Sequence, residues 1–248
     1  MELSLASLSA IWATVLFASI IRTFTGFGFA LAAIPILSLF LSPIDSVTFS
    51  TLVVFAISFF RLKSFWGLSP IKPMLPLTAM LLLGTALGAY LLRSISVEHF
   101  RLVAGLLVVV ASIWLTVFQA NDRSENALGS SIAGLVSGVM NGLFAMGGPA
   151  IIAYTLLTES DARLSRIKIM AILFVATILA LISFTFAGLI SLHVPVYFIL
   201  TLPAIYLGDK LGNSLFEQYG ERFYRRVALI ILFSVGLSST FYGLYFWL

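Results

Sequence analysis

The chain has 248 residues, of which 60% are hydrophobic and only 10% are charged, with a net charge of +4. Soluble domains carry about 25% charged residues, so this composition excludes an ordinary soluble protein and predicts a polytopic helical membrane protein. The chain has no cysteine, which excludes disulfides and thiol chemistry. In a membrane protein a basic excess reports loop orientation before nucleic-acid binding, so no nucleic-acid partner is expected.

The first half of the chain contains an interrupted apolar stretch followed by three apolar segments. Arg22 divides the run Leu3–Ile21 from Thr23–Ile44. Because Met1-Glu2 lacks the basic start of a secretory signal, the first run is predicted to remain in the protein. The three segments predicted to cross the bilayer are Val47–Phe60, Met74–Leu92 and Leu102–Phe118.

The second half begins with Ala127–Thr158, which has no charged residue but contains six glycines and Pro149. One straight helix of this length would measure roughly 48 Å, too long for one crossing of a core of about 30 Å and too short for two. We predict that it bends or re-enters at Asn141-Gly142 and Gly147-Gly148-Pro149, where broken backbone must lie inside protein or beside a wet cavity.

Three further apolar segments follow this broken stretch. They are Ile169–Leu192, Tyr197–Leu215 and Val227–Leu248, with the charged connection Glu217–Arg226 between the last two. The second half therefore repeats the order of the first, a broken stretch and then three spans.

The two halves also match at glycines and prolines, which mark backbone geometry rather than general hydrophobicity. The matched pairs are Pro35/Pro149 and Gly28/Gly142 at an offset of 114 residues, and Gly84/Gly208 and Gly88/Gly212 at an offset of 124. We predict a single transmembrane domain over residues 1–248, built from repeats 1–120 and 127–248.

Loop charges predict that the two repeats have opposite orientations. The loop Ser42–Ser46 has no Lys or Arg, whereas its counterpart Glu159–Lys168 has three. The next loop of the first half carries Arg61, Lys63 and Lys72, while its counterpart Ser191–Pro195 has none. This switch indicates an all-α integral membrane fold of two inverted-topology repeats, with the termini outside and the basic loops in the cytoplasm. If both broken stretches cross fully instead, the number of spans changes and a terminus can lie on the other side.

Transporters built from inverted repeats bind substrate near the midplane, beside broken helices. We predict that Pro35 and Pro149 lie in the first turns of second half-helices, whose N-termini offer free N–H groups to an anion. The candidate substrate-binding residues are Arg22, Thr23, Thr25, Gly26, Gly28, Pro35, Asn141, Gly142, Gly147, Gly148 and Pro149. The alternative interpretation is that the glycines only allow tight helix packing.

Two charged residues within apolar runs are candidates for a role in transport. Arg22 is costly inside a bilayer, so we expect it to face a cavity or an anion, unless it lies at an interface and extends into water. Asp209 is the candidate coupling or gating group, whereas Lys210 is interpreted as an interfacial anchor. His99 and His193 lie in connections, and no metal cluster or catalytic motif stands out. Neither an enzyme, a metal site nor a cofactor is therefore expected.

Two segments carry a resemblance to a known family. TGFGFALAAIPIL (Thr25–Leu37) and GLFAMGGPAIIAYTLL (Gly142–Leu157) resemble the paired signatures of the TauE/SafE sulfite exporter family. The resemblance covers nearly the whole chain and implies a multi-pass transporter of a bacterial-type inner membrane for sulfite or organic anions such as sulfonates, usually an exporter. Many members have a glycine run where this chain has Gly26-Phe27-Gly28-Phe29, a departure that bears on pocket size and substrate.

The expected function is export of small sulfur-containing oxyanions by alternating access around the two broken stretches. Backbone N–H groups near Gly26–Gly28 and Gly142–Gly148, helped by Thr25 and Asn141, would hold the anion. The expected partners are this small anion and the lipid bilayer, protons are the candidate coupling ion, and the sequence leaves a homo-oligomer open. A passive anion channel and a subunit of a membrane assembly are the alternatives.

Overall fold

A computed structural model describes residues 5–25, 28–65, 75–117, 126–159 and 161–247 of the chain. Within these ranges it contains nine α-helices, a short 3-10 turn at Leu62–Ser64 and no strand. The helices are α1 Leu5–Thr25, α2 Phe29–Leu37, α3 Pro43–Phe60, α4 Leu75–Leu92, α5 Val97–Val117, α6 Ala127–Phe144, α7 Gly148–Thr158, α8 Ala162–Phe186 and α9 His193–Trp247.

Five segments of these helices are long and apolar enough to cross a membrane. They are Pro43–Phe60, Leu75–Leu92, Ala127–Phe144, Ile167–Phe186 and His193–Leu215, and Ser7–Thr23 is a shorter apolar helix. The prediction of an all-α, multi-pass membrane protein is confirmed.

Both predicted broken stretches are present, each as a helix followed by a shorter helix. The first breaks at Gly28, whose φ of 98° lies in the left-handed region that glycine adopts at little cost. The second breaks between α6 and α7, where Ala145 has a φ of 54° and Gly147 precedes α7. Asn141 and Gly142, which were predicted to mark a break, lie inside the last turn of α6.

The two prolines of the broken stretches differ in position. Pro149 lies in the first turn of α7, as predicted. Pro35 lies inside α2, so its predicted place in the first turn was wrong. Helix α2 begins directly after the left-handed backbone of Gly28, its N-cap residue. Pro35 therefore does not mark where α2 begins.

Contacts between connections define the two ends of the helix bundle. Ser191 Oγ donates a hydrogen bond of 2.8 Å to Asp45 Oδ1, which joins the α8–α9 connection to the start of α3, and we call this the Asp45 end. At the other end of α3, Phe65 packs in one buried cluster with Ile167 in the first part of α8, and we call this the Arg61 end. The two loops predicted to lie together because they lack Lys and Arg thus meet at one end.

Corresponding elements of the two halves run in opposite directions between these ends. Helix α3 runs from the Asp45 end to the Arg61 end, whereas α8 starts beside Phe65 and leads to Ser191. Helix α1 runs toward Asp209 at the Arg61 end, and α2 turns back from it. Tyr154 of α7 lies beside the start of α6, since a Cβ built on Gly129 would be 3.6 Å from its ring. Helix α7 therefore turns back along α6, and it leads into α8 at the Arg61 end. The two hairpins therefore enter the bundle from opposite ends.

Two helix pairs approach each other closely through glycines. Gly84 and Gly88 of α4 face α6, and Gly208 and Gly212 of α9 face α1. A Cβ added to Gly212 would lie 2.8 Å from the carbonyl oxygen of Ile20, closer than real side chains come to backbone. Small residues that let two backbones approach are the usual packing contact between helices in membranes.

The two close contacts share one register. Leu135 O and Val139 N lie against Gly84 as Leu16 O and Ile20 N lie against Gly208. Helices α1 and α6 therefore correspond at an offset of 119 residues, and α4 and α9 correspond at 124. The second offset is the one predicted from the glycines.

The predicted offset of 114 for the broken stretches differs from this packing register by five residues. At 119, Gly28 corresponds to Gly147, and each is the N-cap of its short helix. The match of Gly28 with Gly142 was wrong because a segment with six glycines offers coincidental matches at several registers.

Helix α9 is continuous over its 55 residues, from His193 to Trp247. The predicted connection at Glu217–Arg226 is therefore helical. Its charges suggested a loop, but Glu, Gln and Arg are good helix formers and this segment has no proline, so the helix continues through it.

Candidate functional site

The tips of the two hairpins meet at one cavity, which we call the central cavity. Its empty space, including the solvent at its open side, is about 440 Å³. It is lined by Arg22, Gly28, Phe29, Ala30, Leu31, Thr51, Val54, Asn141, Ala145, Met146, Gly147, Gly148, Pro149, Leu173 and Thr177. Thr51 and Val54 lie near the middle of α3, so the cavity lies midway between the two ends.

The 119-residue offset relates the two walls of this cavity. The related pairs are Arg22/Asn141, Gly28/Gly147, Phe29/Gly148, Ala30/Pro149 and Val54/Leu173. Each half of the chain thus supplies an equivalent set of positions. The first pair differs in charge, because a guanidinium on one wall stands opposite a neutral amide on the other.

The short helices α2 and α7 begin at the cavity. Their N-caps are Gly28 and Gly147, and neither N-terminus has a side-chain capping bond. The first N–H groups of a helix have no partner within it, and they form the positive end of the helix dipole. Ser137 Oγ donates a 2.6 Å bond to Gly147 O, which holds the break of the second stretch in place. The cavity therefore has two N-terminal helix ends on its wall, an arrangement that favours an anion.

Arg22 is the charged residue of the central cavity lining. It is 7% exposed, and its Nη2 donates a 2.6 Å bond to Ser58 Oγ. The ion pairs found among the described residues do not include Arg22. A buried cation is costly unless a nearby anion balances it, so this guanidinium is suited to an anionic ligand.

Asn141 occupies the position equivalent to Arg22 on the opposite wall. It is 4% exposed, and its Nδ2 donates a 3.0 Å bond to the carbonyl oxygen of Ala176 on α8. Arg22 makes the corresponding reach to Ser58 on α3. A side-chain amide carries two N–H groups, so Asn141 can hold α8 with one and donate to a ligand with the other.

Sequence reasoning missed two threonines that line the cavity. Thr51 Oγ1 donates a 2.8 Å bond to Val47 O, and Thr177 Oγ1 donates a 2.8 Å bond to Phe174 O. Both hydroxyl hydrogens are used within their own helices. A threonine inside an apolar span carries no local signal that would set it apart, so nothing in the sequence could have found these two.

The structure brings together only part of the predicted substrate-binding set. The predicted residues that line the central cavity are Arg22, Gly28, Asn141, Gly147, Gly148 and Pro149. Gly142 packs against α4, where an added Cβ would be 2.8 Å from Ala89 N, so it serves helix packing. Pro35 is buried within α2 away from this lining, and Thr25 is the last residue of α1. Gly26 lies outside the described residues.

Thr23 and Asp209 meet at the Arg61 end rather than in the central cavity. Asp209 Oδ1 accepts a 2.6 Å bond from Thr23 Oγ1 and a 3.0 Å bond from Arg61 Nε. The Arg61 and Asp209 side chains are each 27% exposed. From the sequence, Arg61 indicated only loop orientation, since a partner 148 residues away gives no local signal. Lys210 is exposed, as expected for an interfacial residue.

A second cavity, which we call the Arg61 cavity, lies between the central cavity and the Arg61 end. It is lined by Arg22, Thr23, Ile57, Ser58, Arg61, Phe65 and Met170, and its empty space, including the solvent at its open side, is about 340 Å³. Arg22 lines both cavities.

Comparison with known proteins gives one match. The sequence model of the family described as Sulfite exporter TauE/SafE matches residues 11–239 of the 248. No curated protein and no solved structure matches the chain. The matched region includes the breaks of both stretches, the residues that line both cavities, and Asp209. The chain belongs to the TauE/SafE sulfite exporter family.

Proposed function

We propose that this protein is a secondary transporter that exports sulfite or short organosulfonates through the central cavity. The family match supports the substrate class, and the apolar helices support a membrane transporter. The observation that carries the proposal is Arg22, a buried guanidinium that lines the cavity where two helix N-termini begin and that is not in direct ion-pair contact with a carboxylate among the described residues. An oxyanion would balance its charge.

In this proposal the anion lies between the Arg22 guanidinium and the N-termini of α2 and α7. A guanidinium binds two oxygens of one oxyanion through parallel N–H groups, which suits sulfite and the sulfonate group alike. Asn141 adds a neutral donor from the opposite wall. Thr25 and Gly26 remain proposed residues of the same site, because they come shortly before Gly28 in the sequence.

Alternating access is proposed to come from two inverted repeats. The opposite directions of α3 and α8, and the entry of the two hairpins from opposite ends, support such an arrangement. In folds of this kind one repeat moves against the other around a fixed site. Opening toward one end would break the contact between Arg61 and Asp209, and opening toward the other would break the contact between Ser191 and Asp45.

Asp209 is the proposed coupling group, with protons as the coupling ion. A proton on its carboxyl group would remove the charge that pairs with Arg61 and would loosen the Arg61 end. We further propose that the Arg61 end faces the cytoplasm of a bacterial-type inner membrane, because basic loops favour the cytoplasmic side. The start of α1 then lies outside, whereas the continuous α9 carries the chain past the Arg61 end, which does not fit the predicted outside position of the C-terminus.

The experiment that tests this function is flux into proteoliposomes that contain the purified chain alone. Sulfite, methanesulfonate, sulfate and chloride are compared with and without a pH gradient. We expect saturable flux of sulfite or methanesulfonate that follows the gradient. Flux that neither saturates nor responds to the gradient would favour the passive channel, and no flux of any of the four anions would contradict the transport proposal.

A further inference from the structure

We propose that the Arg61 cavity is a second oxyanion site, distinct from the central cavity. An anion would occupy it on the way between the central cavity and the Arg61 end. Its place on a transport path rests on the proposed function, but the claim that an oxyanion binds there does not.

The position of this cavity follows from the residues that α3 and α8 contribute. On α3, the central cavity is lined by Thr51 and Val54, and the Arg61 cavity by Ile57, Ser58 and Arg61. With a rise of 1.5 Å per residue, these two groups are about 9 Å apart along the helix. On α8 the shift from Leu173 and Thr177 to Met170 goes toward the same end. The two cavities therefore follow one another along the axis of the bundle.

The chemistry of the lining suits a small oxyanion. Two guanidinium groups, Arg22 and Arg61, line the cavity together with the hydroxyl groups of Thr23 and Ser58. The remaining wall is apolar, which strengthens interactions between charges. Among the described residues near these two cations, Asp209 pairs with Arg61. Asp209 is thus the carboxylate that the described residues place beside two guanidinium groups.

Asp209 shows where an oxygen of such an anion would bind. Its Oδ1 accepts hydrogen bonds from both Thr23 Oγ1 and Arg61 Nε. An oxygen of a sulfonate or sulfite group is likewise a negatively charged acceptor of hydrogen bonds. The Asp209 carboxylate therefore competes with an incoming anion for these two donors. Removing the charge of Asp209 should strengthen anion binding, whereas removing the charge of Arg61 should weaken it.

Arg22 connects the two sites because its side chain lines both cavities. An anion that leaves the central cavity therefore stays beside a cation as it approaches Arg61. Conduction through a narrow path needs sites that are attractive enough to enter and weak enough to leave. At the Arg61 cavity, the carboxylate of Asp209 competes with the anion and so keeps its binding weak enough for it to leave.

The test uses a cysteine placed in the Arg61 cavity of this cysteine-free chain. Met170→Cys is reacted, in purified protein in lipid nanodiscs, with an anionic sulfonatoethyl and a cationic trimethylammonioethyl methanethiosulfonate reagent. The reaction rate with the anionic reagent is divided by the rate with the cationic reagent, and this ratio is divided by the same ratio for a free thiol. We expect this normalised ratio to favour the anionic reagent by about tenfold, and methanesulfonate to slow the reaction.

Three changes in the Met170→Cys background separate an anion site from a structural ion pair. Arg61→Gln should bring the normalised ratio close to one, Arg61→Lys should keep most of it, and Asp209→Asn should raise it. Lys63→Gln is the matched control, because Lys63 is exposed, carries the same charge two residues away and lies outside both lining sets; it should leave the ratio unchanged.

Two results would overturn the second site. One is a normalised ratio near one in the parent Met170→Cys protein, without protection by methanesulfonate. The other is a change of the ratio in the same direction by Arg61→Gln and Asp209→Asn, since loss of a structural ion pair would affect both alike. Failure of the transport proposal is a separate result, because absence of flux into proteoliposomes leaves these labelling rates as they are.

Discussion

Arg22 and Asn141 are the two residues on which the site depends most, and they hold corresponding positions. They are separated by the 119 residues that also relate the rest of the cavity wall. Each reaches to a neighbouring helix, Arg22 to Ser58 on α3 and Asn141 to Ala176 on α8. The cavity is therefore nearly symmetric in the positions that line it but asymmetric in charge. Its guanidinium comes from the first half of the chain, and the equivalent position of the second half carries an amide.

This correspondence predicts that the charge can be moved from one wall to the other. Arg22→Asn should lower the initial rate of sulfite flux by about tenfold or more, because a charged hydrogen bond to the anion is lost. Adding Asn141→Arg to that variant should restore part of the rate. The measurement is flux into proteoliposomes at equal amounts of folded protein. A double variant no better than Arg22→Asn alone would contradict the equivalence of the two positions.

At this scale the sequence identified residues whose chemistry conflicts with their surroundings. Arg22 stood out because a charge interrupts an apolar run, and Asn141 because an amide precedes a glycine-rich break. Thr51 and Ser58 could not be identified, since a hydroxyl bonded to its own helix is unremarkable in a span. Arg61 was assigned to a loop, and only the folded chain brings it to Asp209.

At the scale of helices, the glycine contacts hold the hairpins in place. Helix α6 packs on α4 and α1 packs on α9 through the same register of backbone contacts. In lipid there is little hydrophobic drive between helices, so close van der Waals packing has to hold these pairs together. A single added methyl group at such a contact has to push two backbones apart.

We therefore predict that Gly84→Ala destabilises the protein. Its Cβ would be 2.9 Å from Val139 N and 3.0 Å from Gly138 Cα, both backbone atoms that cannot move alone. Overpacking of this kind costs about 1–3 kcal/mol, which should appear as a lower unfolding temperature in detergent. The matched control is Ala86→Leu, which adds more volume to the exposed face of the same helix and should change little. Equal unfolding temperatures of Gly84→Ala and the wild-type protein would contradict the packing account.

The helix starts and the offsets between the two halves were predictable from the sequence only where a proline or a few glycines allowed one assignment. Pro149 marked the start of α7 correctly, because it follows two glycines in an uncharged stretch. Pro35 did not mark the start of α2, since α2 begins directly after Gly28 and holds Pro35 in its interior. The offset of 124 was found because few glycines occur in that region, whereas six glycines in one stretch hid the offset of 119.

At the scale of the whole molecule, the two ends differ in their charged connections. The Asp45 end joins the start of α3 to Ser191, and the Arg61 end carries the exposed Lys63 together with the pair of Arg61 and Asp209. Loop charges could predict this grouping because Lys and Arg are enriched on one side of the membrane. The α4–α5 connection departs from it, since it carries Arg93 and lies near the Asp45 end, where Arg101 donates to Ser38 O. Loop charges could not predict that α9 continues through Glu217–Arg226, because charged residues are compatible with both a loop and a helix.

The orientation of the molecule is testable with a pair of cysteines at opposite ends. Leu192→Cys, at a residue that is 90% exposed, should react with an impermeant thiol reagent in intact cells. Lys63→Cys should react only after the cells are permeabilised, because we place the Arg61 end in the cytoplasm. The wild-type chain is an internal blank, since it has no cysteine. Labelling of Lys63→Cys from outside, with Leu192→Cys protected, would reverse the orientation.

The most direct measurement of the central claim, that Arg22 holds the anion, is the effect of methanesulfonate on the unfolding temperature of purified protein. A ligand that binds only the folded state raises that temperature, by an amount that grows with its concentration relative to Kd. We predict a concentration-dependent rise, relative to equal chloride, for the wild-type protein and for the control Lys210→Gln. Arg22→Gln should show little or none of this rise, and a rise equal to that of the wild-type protein would contradict the claim.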